Sequence, residues 1–175
     1  RSTISNVTTL TNASTINLLS NVGEIWHMEN VNAAIDSANN MTNVNTVTFV
    51  AGKLDDAGDF ERSSNQYFEH TDSAGISIGD NSFTYACWIK LESTDVWQGI
   101  ATDMTWLGTG TPSHHLAVSS GNQIYGKVWG TSSDSGNSYS TSTLSSGIWY
   151  HVALIHDKGT DVKIAVDGSV GEDTT

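Results

Sequence analysis

Residues 83–92 read FTYACWIKLE, and the alternation within this stretch indicates the fold class. Apolar or aromatic side chains occupy every second position, at Phe83, Tyr85, Cys87, Ile89 and Leu91. The positions between them hold Thr84, Ala86, Trp88, Lys90 and Glu92. A period of two is typical of a β-strand, because successive side chains point to opposite faces of a sheet. The stretch is therefore predicted to be a strand with one face in the core and the other half covered.

A second strong strand is predicted at residues 149–156, where Val152 and Leu154 alternate with Ala153 and Ile155. Apolar residues on both faces favour a position in the middle of a sheet. Further strands are predicted at 24–29, 46–50, 59–61, 66–69, 100–102, 115–119, 124–129, 138–142 and 162–166. Asp167-Gly168 follows the last of these and predicts a tight hairpin turn, since both residues tolerate positive φ. Short alternating segments divided by Gly, Asn, Asp and Ser clusters predict an all-β sandwich or barrel.

Length and charge limit the function classes. The chain has 175 residues, enough for one domain with a sizeable core. Its 19 acidic residues exceed its 7 Lys and Arg, giving a net charge of −12. This field repels phosphate backbones and anionic membranes, so nucleic acid is not expected as a partner. No apolar run approaches the roughly 18 residues of a membrane span. Cys87, the single cysteine, is interpreted as a small core side chain.

The first 22 residues differ in composition from the rest. They form a Thr, Asn and Ser tract with scattered Ile, Val and Leu. Such a tract predicts an extended N-terminal arm or linker at 1–22, followed by the β-sandwich at 23–175. Leu18 and Leu19 could dock on the sandwich or on a neighbouring subunit, or belong to a loosely held linker.

Several segments, in order, resemble the laminin-G-like jelly rolls of the concanavalin A-like lectin/glucanase superfamily. They are 25–29 with the Asp-Ser loop at 35–37, then 51–60, 82–90 and 147–154, and finally the Val-Asp-Gly hairpin at 164–168. The resemblance covers most of the chain and implies a two-sheet antiparallel jelly-roll sandwich. Relatives of this kind occur in phage structural proteins and bacterial surface proteins.

The sequence departs from the family pattern at two places. Asp56 stands where the family usually has a glycine, which predicts a different backbone turn there. Family members also continue past the Val-Asp-Gly hairpin with further strands, whereas this sequence ends at Thr175. The sandwich is therefore expected to lack its last strands here, and another chain is one possible source of them.

The resemblance implies calcium as a cofactor, because many relatives bind it where loops meet the edge of the sandwich. The matching loop, 36–40, offers Asp36 as the anchoring ligand, with Asn39 or Asn40 assisting. Carboxylate, amide and carbonyl oxygens are the ligands that Ca²⁺ takes. The alternative is that Asp36 caps a turn by accepting hydrogen bonds from backbone amides.

A glycan site needs a flat aromatic ring to stack on a sugar and a few oriented polar groups. The candidates lie in the variable middle of the chain: Trp97, Trp106, His114, His115, Tyr125, Trp129 and Tyr139. Trp97 and Trp106 fall in loop-like segments and are the best candidates for exposure. The alternative for each Trp is the sandwich core, an interpretation favoured for Trp26, Trp88 and Trp149, which lie on family strand motifs.

Hydrolytic activity is not expected, although the superfamily includes glucanases. Those enzymes carry paired carboxylates on one strand, and no Glu-x-Asp-x-Glu run occurs here. His114 and His115 are adjacent, so on a strand they would point to opposite faces and could not share one metal.

Two functions follow. The first is a non-catalytic recognition module that binds glycans or a cell surface as part of a virion, tail or adhesin assembly. The second is an architectural or decoration protein that acts on neighbouring subunits through its N-terminal arm and an open sheet edge. Both predict an extracellular, cell-surface or virion-surface location.

Overall fold

A computed structural model of the chain describes residues 23–71, 81–103, 113–129 and 136–171. The chain divides into two compact units, Arg1–Ser77 and Ile78–Thr175. The predicted N-terminal arm, residues 1–22, lies outside the described residues. Strands dominate, and the described helical structure is limited to two 3₁₀ turns, Ser37–Asn39 and Arg62–Ser64, which confirms the all-β prediction. Over the described ranges, no helix has the length and apolar character needed to cross a membrane.

The described part of the first unit, residues 23–71, contains four short strands. They are β1 (Thr42–Val44), β2 (Thr48–Ala51), β3 (Asp56–Asp59) and β4 (Tyr67–Glu69), with β1 paired to β4 and β2 paired to β3, both antiparallel. The strand predicted at 24–29 is wrong. Trp26 makes a single bridge to Ala33, and Met28 has a φ of 64°. A left-handed residue breaks the extended backbone that a ladder requires.

The hairpin between β2 and β3 accommodates the Asp56 departure from the family pattern. Asp55 takes the left-handed conformation, with a φ of 53°. The amide of Gly52 donates to the carbonyl oxygen of Asp55 at 2.7 Å. Asp56 therefore enters β3 as an ordinary strand residue, and the turn needs no glycine at that position.

The described phenylalanines of the first unit form a small aromatic cluster. Phe68 of β4 stacks on Phe49 of β2 with ring centroids 5.8 Å apart. Phe60 meets the same ring edge-on at 4.9 Å. These contacts join the β2–β3 hairpin to the β1–β4 strand pair through apolar packing.

The second unit has two four-stranded sheets. Its strands are β5 (Phe83–Lys90), β6 (Gln98–Asp103), β7 (Ser113–Val118), β8 (Gln123–Trp129), β9 (Gly136–Thr143), β10 (Trp149–Asp157), β11 (Asp161–Val166) and β12 (Ser169–Gly171). One sheet has the order β12-β11-β10-β5 and the other β6-β7-β8-β9, and every pair is antiparallel. They pack face to face, as the predicted sandwich requires.

The core between the two sheets comes from alternate positions of their strands. On β10 the inward residues include Val152 and Leu154, both 0% exposed. β10 lies between β11 and β5, which confirms its predicted central position. Phe83, Tyr85, Cys87 and Ile89 of β5 pack against this core, as the alternation in 83–92 predicts.

The two sheets approach each other closely at Gly126 on β8. A Cβ placed there would lie 2.5 Å from Cδ1 of Ile164 and 2.6 Å from Cδ1 of Leu154. Carbon atoms in contact are normally about 3.5–4.0 Å apart. Any side chain on β8 at this position would therefore overlap the opposite sheet.

The hairpin from β11 to β12 has the turn that the sequence predicts. Asp167 and Gly168 have φ values of 48° and 82°. Positive φ at both central residues matches the right-handed twist of the flanking strands. The Asp167 carboxylate also accepts the backbone N–H of His151 at 2.8 Å, which ties the turn to β10.

Candidate functional site

One face of the β6-β7-β8-β9 sheet, opposite the core, carries a row of aromatic and polar side chains. We call it the aromatic face, and its members are Trp97, His115, Tyr125, Lys127, Trp129 and Tyr139. The alternation of β8 produces it. Ile124, Gly126 and Val128 are buried, whereas the residues between them are only half-buried. Five of the seven glycan-site candidates from the sequence are on this face.

Tyr125 is the centre of the aromatic face. It pairs directly with Tyr139 across the β8–β9 ladder, and their ring centroids are 4.8 Å apart. Trp97 stands edge-on to Tyr125, at 5.4 Å and an interplanar angle of 88°. His115 lies on the third side, 6.3 Å from the same ring. Trp97 is 52% exposed, so its indole is open to a ligand.

Trp129 extends the aromatic face along β8. Its ring lies under the Lys127 ammonium, which is 4.6 Å from the ring centroid. A cation at this distance is attracted by the electron-rich face of an indole. The contact holds the lysine side chain against the sheet rather than leaving it extended in water.

A hydrogen-bonded clasp positions Trp97. The Asp95 amide donates to Asn122 Oδ1 at 2.7 Å, and Asn122 Nδ2 donates back to Asp95 Oδ1 at 2.9 Å. Thr94 Oγ1 donates to the other Asp95 carboxylate oxygen at 3.0 Å. Both partners are left-handed, with φ values of 64° and 61°. The clasp joins the loop before β6 to the β7–β8 turn. Its residue Asp95 lies two positions before Trp97 in the sequence.

Burial alters the ionisation of two side chains on the aromatic face. Burial raises the pKa of Tyr125, and the neighbouring Tyr139 raises it further. Burial lowers the pKa of His115, so its ring is neutral at physiological pH. His115 Nδ1 is buried and has no hydrogen-bond partner among the described atoms. At neutral pH, therefore, the formal charge among the described side chains of this face comes from Lys127.

His114 is the candidate that does not join the aromatic face. It is 3% exposed and points into the core, where Nε2 and the Tyr85 hydroxyl are 2.5 Å apart. Its ring also contacts Phe83, with centroids 4.8 Å apart. The two adjacent histidines do lie on opposite faces of β7, as strand geometry predicts. Trp106 lies outside the described residues.

The expectation that Trp88 lies in the core is wrong. It is 39% exposed and sits on the outward face of β5, edge-on to His151 at 5.3 Å. The alternation in 83–92 predicts this outward orientation, whereas the resemblance to the family motif favoured the core. Trp26 and Trp149 are half-buried.

Two side-chain oxygens of the predicted calcium loop accept hydrogen bonds from backbone amides. Asp36 Oδ1 accepts the amide N–H of Ala38 at 2.9 Å, and Asn40 Oδ1 accepts that of Ala33 at 2.8 Å. Asp36 thus caps the 3₁₀ turn Ser37–Asn39. This geometry supports the turn-capping alternative.

The same loop encloses a carboxylate that the sequence analysis did not consider. Glu24 accepts hydrogen bonds from the amides of Ile25, Ile35 and Asp36, and from Nδ2 of the buried Asn39, at 2.7–3.0 Å. Burial alone would raise the Glu24 pKa, but the bond from Asn39 and the three amides together lower it to about 2. The groups that surround the Glu24 carboxylate are thus N–H donors rather than further oxygen ligands. Calcium at Asp36 stays a prediction.

A family model described as the concanavalin A-like lectin/glucanases superfamily, of the laminin-G type, matches residues 62–175. The match spans more than half of the chain and includes every strand of the second unit. The chain belongs to this superfamily. Its members are often carbohydrate-binding or surface-binding, and the fold is typically non-catalytic although some members are glycosidases. Searches of curated proteins and of solved structures returned no match.

Sequence reasoning missed three residues at these sites: Lys127, Asn122 and Glu24. Lys127 was recoverable, because it lies two positions from both Tyr125 and Trp129 on one strand. Asn122 has no such signal, since its partner Asp95 is 27 residues away. Glu24 stands in the segment that was predicted to be a strand, where its contacts with the following loop are not expected.

Proposed function

We propose that the chain is a non-catalytic recognition module that binds glycans through the aromatic face. The observation that carries the proposal is the exposed Trp97 indole standing edge-on to Tyr125. Together with Tyr139, these two residues offer a ligand aromatic rings in different orientations, with Trp97 perpendicular to Tyr125. Sugar rings present C–H faces that stack on such aromatics, while their hydroxyls need nearby polar partners.

The polar groups that a sugar needs lie on the same strands. His115 and Lys127 are directly paired across β7 and β8, and Asn137 pairs with Lys127 from β9. The tyrosine hydroxyls add further donors and acceptors. Their positions on paired strands fix their spacing, so little ordering is required when a ligand binds.

Laminin-G-like domains are commonly extracellular. We propose that this chain is displayed on a cell or virion surface within a larger assembly, such as a tail or adhesin, where glycan binding attaches the assembly to its target. The low content of charged residues, 15%, suits such a polar surface.

The test compares two exposed tryptophans on opposite sheets. Trp97→Ala removes a ring of the aromatic face, whereas Trp88→Ala removes a similarly exposed ring from the outer face of β5. The wild-type chain is screened on a glycan array with and without calcium, and Kd values are measured for the glycans that bind. Trp97→Ala is expected to weaken binding about tenfold or more, as truncation of a central aromatic contact does.

Trp88→Ala is expected to leave glycan binding unchanged. Absence of binding to any glycan at millimolar concentration would overturn the proposal, and equal losses in the two variants would move the site off the aromatic face. Calcium dependence would show that the predicted Asp36 loop, or another cation site, takes part.

The architectural function is supported by one observation. Within the described part of the chain, β5 is an outermost strand of its sheet, and it is eight residues long. A long edge strand is a template for pairing with another chain. Light scattering across a concentration series tests this function, because pairing of copies through an edge would appear as a concentration-dependent mass.

A further inference from the structure

Lys127 is a basic residue on the aromatic face of a chain that is acidic as a whole. Acidic residues outnumber Lys and Arg by 19 to 7, yet β7, β8 and β9 contain no acidic residue, and Asp103 of β6 pairs with the inward-facing His114. Lys127 lies on β8, between His115 on β7 and Asn137 on β9. The formal charge of the described side chains on the aromatic face is therefore opposite in sign to that of the whole chain.

The surroundings of Lys127 keep its ammonium at the sheet. Its contact with the Trp129 ring holds the aliphatic stem against β8. The described side chains of the face give it no carboxylate to neutralise it. Asp95, two residues before Trp97, has its carboxylate oxygens engaged by Asn122 and Thr94. Lys127 is thus positioned for an anionic group brought by a ligand.

We infer that the aromatic face selects sugars that carry an anionic group, with Lys127 as the residue that recognises it. This inference rests on the proposed glycan function and names its ligand class. Carboxylates, as in uronic acids, and sulfate esters share the chemistry that Lys127 would bind. Asn137, paired with Lys127, supplies an amide donor beside the ammonium.

The net charge of −12 opposes this preference only at long range. At physiological salt, charges more than about 8 Å apart are largely screened. A short acidic sugar in contact with Lys127 therefore responds to the lysine more than to the distant carboxylates. A long polyanion would contact more of the acidic surface and is disfavoured.

The experiment uses matched pairs of glycans that differ in the anionic group alone. The pairs are a uronide with the corresponding neutral glycoside, and a sulfated sugar with its unsulfated form. For a pair of sugars that binds, the anionic member is expected to bind about fivefold more tightly than the neutral member. This factor is the upper range for a solvent-exposed ion pair. The uronide and sulfate arms show which anion is preferred.

Lys127→Gln is expected to abolish that preference, so that the anionic and neutral members of each pair bind the variant with equal affinity. Lys163→Gln is the control, because Lys163 lies on β11 of the other sheet and pairs with Asp161 at 3.0 Å. Circular dichroism and thermal unfolding verify that both variants fold as the wild type does.

Equal or tighter binding of the neutral member by the wild type would overturn this inference and leave the glycan function intact. A preference that survives in Lys127→Gln would also overturn it. Failure of every glycan to bind would overturn both.

Discussion

Replacing Gly126 by alanine measures how closely the two sheets of the second unit pack. The added Cβ would stand 2.5 Å from Ile164 Cδ1 and 2.6 Å from Leu154 Cδ1, so each contact must open by about 1 Å to reach a normal carbon separation. Both neighbours are 0% exposed, so their side chains must repack within the core to make room. Overpacking of this kind costs about 1–3 kcal/mol.

A favourable term opposes this cost. Replacing a strand glycine by alanine lowers the entropy of the unfolded chain and is worth about 0.4–1 kcal/mol where the backbone permits it. The clash is the larger effect, so Gly126→Ala is expected to lower the free energy of unfolding by about 1–2 kcal/mol.

Gly99→Ala is the matched control for Gly126→Ala. Gly99 lies on β6 of the same sheet, and a Cβ there would meet nothing within 4 Å. This variant is expected to be neutral or more stable by up to about 1 kcal/mol. Urea unfolding of the full chain, followed by tryptophan fluorescence and by far-ultraviolet circular dichroism, measures both variants. The close approach of the sheets would be refuted if the Gly126→Ala variant were as stable as the wild type. It would also be refuted if the Gly99→Ala variant were less stable than the Gly126→Ala variant.

Three further predictions concern single contacts. Asn122→Ala breaks the clasp with Asp95 and is expected to weaken glycan binding without removing any aromatic ring; unchanged Kd values would show that Trp97 holds its position without the clasp. Because hydrogen bonds lower the Glu24 pKa from 4.5 to about 2, its carboxylate stabilises the fold fully above pH 4.5, and this contribution is lost as the pH falls towards 2. Glu24→Gln should therefore flatten the acid dependence of unfolding between these values, and an unaltered acid transition would contradict the assignment. Burial raises the Cys87 pKa to about 11, so at pH 8 about one thiol in a thousand is ionised. A thiol-directed reagent should therefore label Cys87 slowly until urea unfolds the chain. Rapid labelling of the native protein would be inconsistent with this burial.

The strands of the second unit could be predicted because their sequences carry a period of two over long stretches. In β5 and β10 the alternation gives both the element and the face that is buried. The same rule gives the opposite orientation of His114 and His115. It does not say which of the two faces the core, because that depends on the register of β7 against its neighbours.

The first unit was harder to predict from its sequence. The segment 24–29 has the composition of a strand, but its backbone turns at Met28, which is left-handed. Local pattern favoured a strand, whereas the convergence of amides on Glu24 stabilises a loop. That convergence joins residues up to 15 positions apart, and a local pattern carries no information about it.

The aromatic face was predicted as a set of residue types and not as a geometry. Trp97 was singled out because it lies in a loop, yet its contact with Tyr125 and the Asp95–Asn122 clasp beside it join residues far apart in the sequence. The pairing of Tyr125 with Tyr139 depends on the register between β8 and β9, which includes an irregularity between Gln123 and Tyr125. Registers of this kind are set by packing of the whole sheet.

The alternation of β8 has a consequence for how such a protein can diversify. Ile124, Gly126 and Val128 build the core, whereas Tyr125, Lys127 and Trp129 face outward from the same strand. Substitutions at the outward positions can change the ligand while the interior stays intact. Insertion or deletion of one residue within β8 would exchange the two sets and turn the aromatic residues inward. New binding specificities should therefore arise in this strand by replacement at alternate positions, whereas changes in chain length should be confined to the connecting loops.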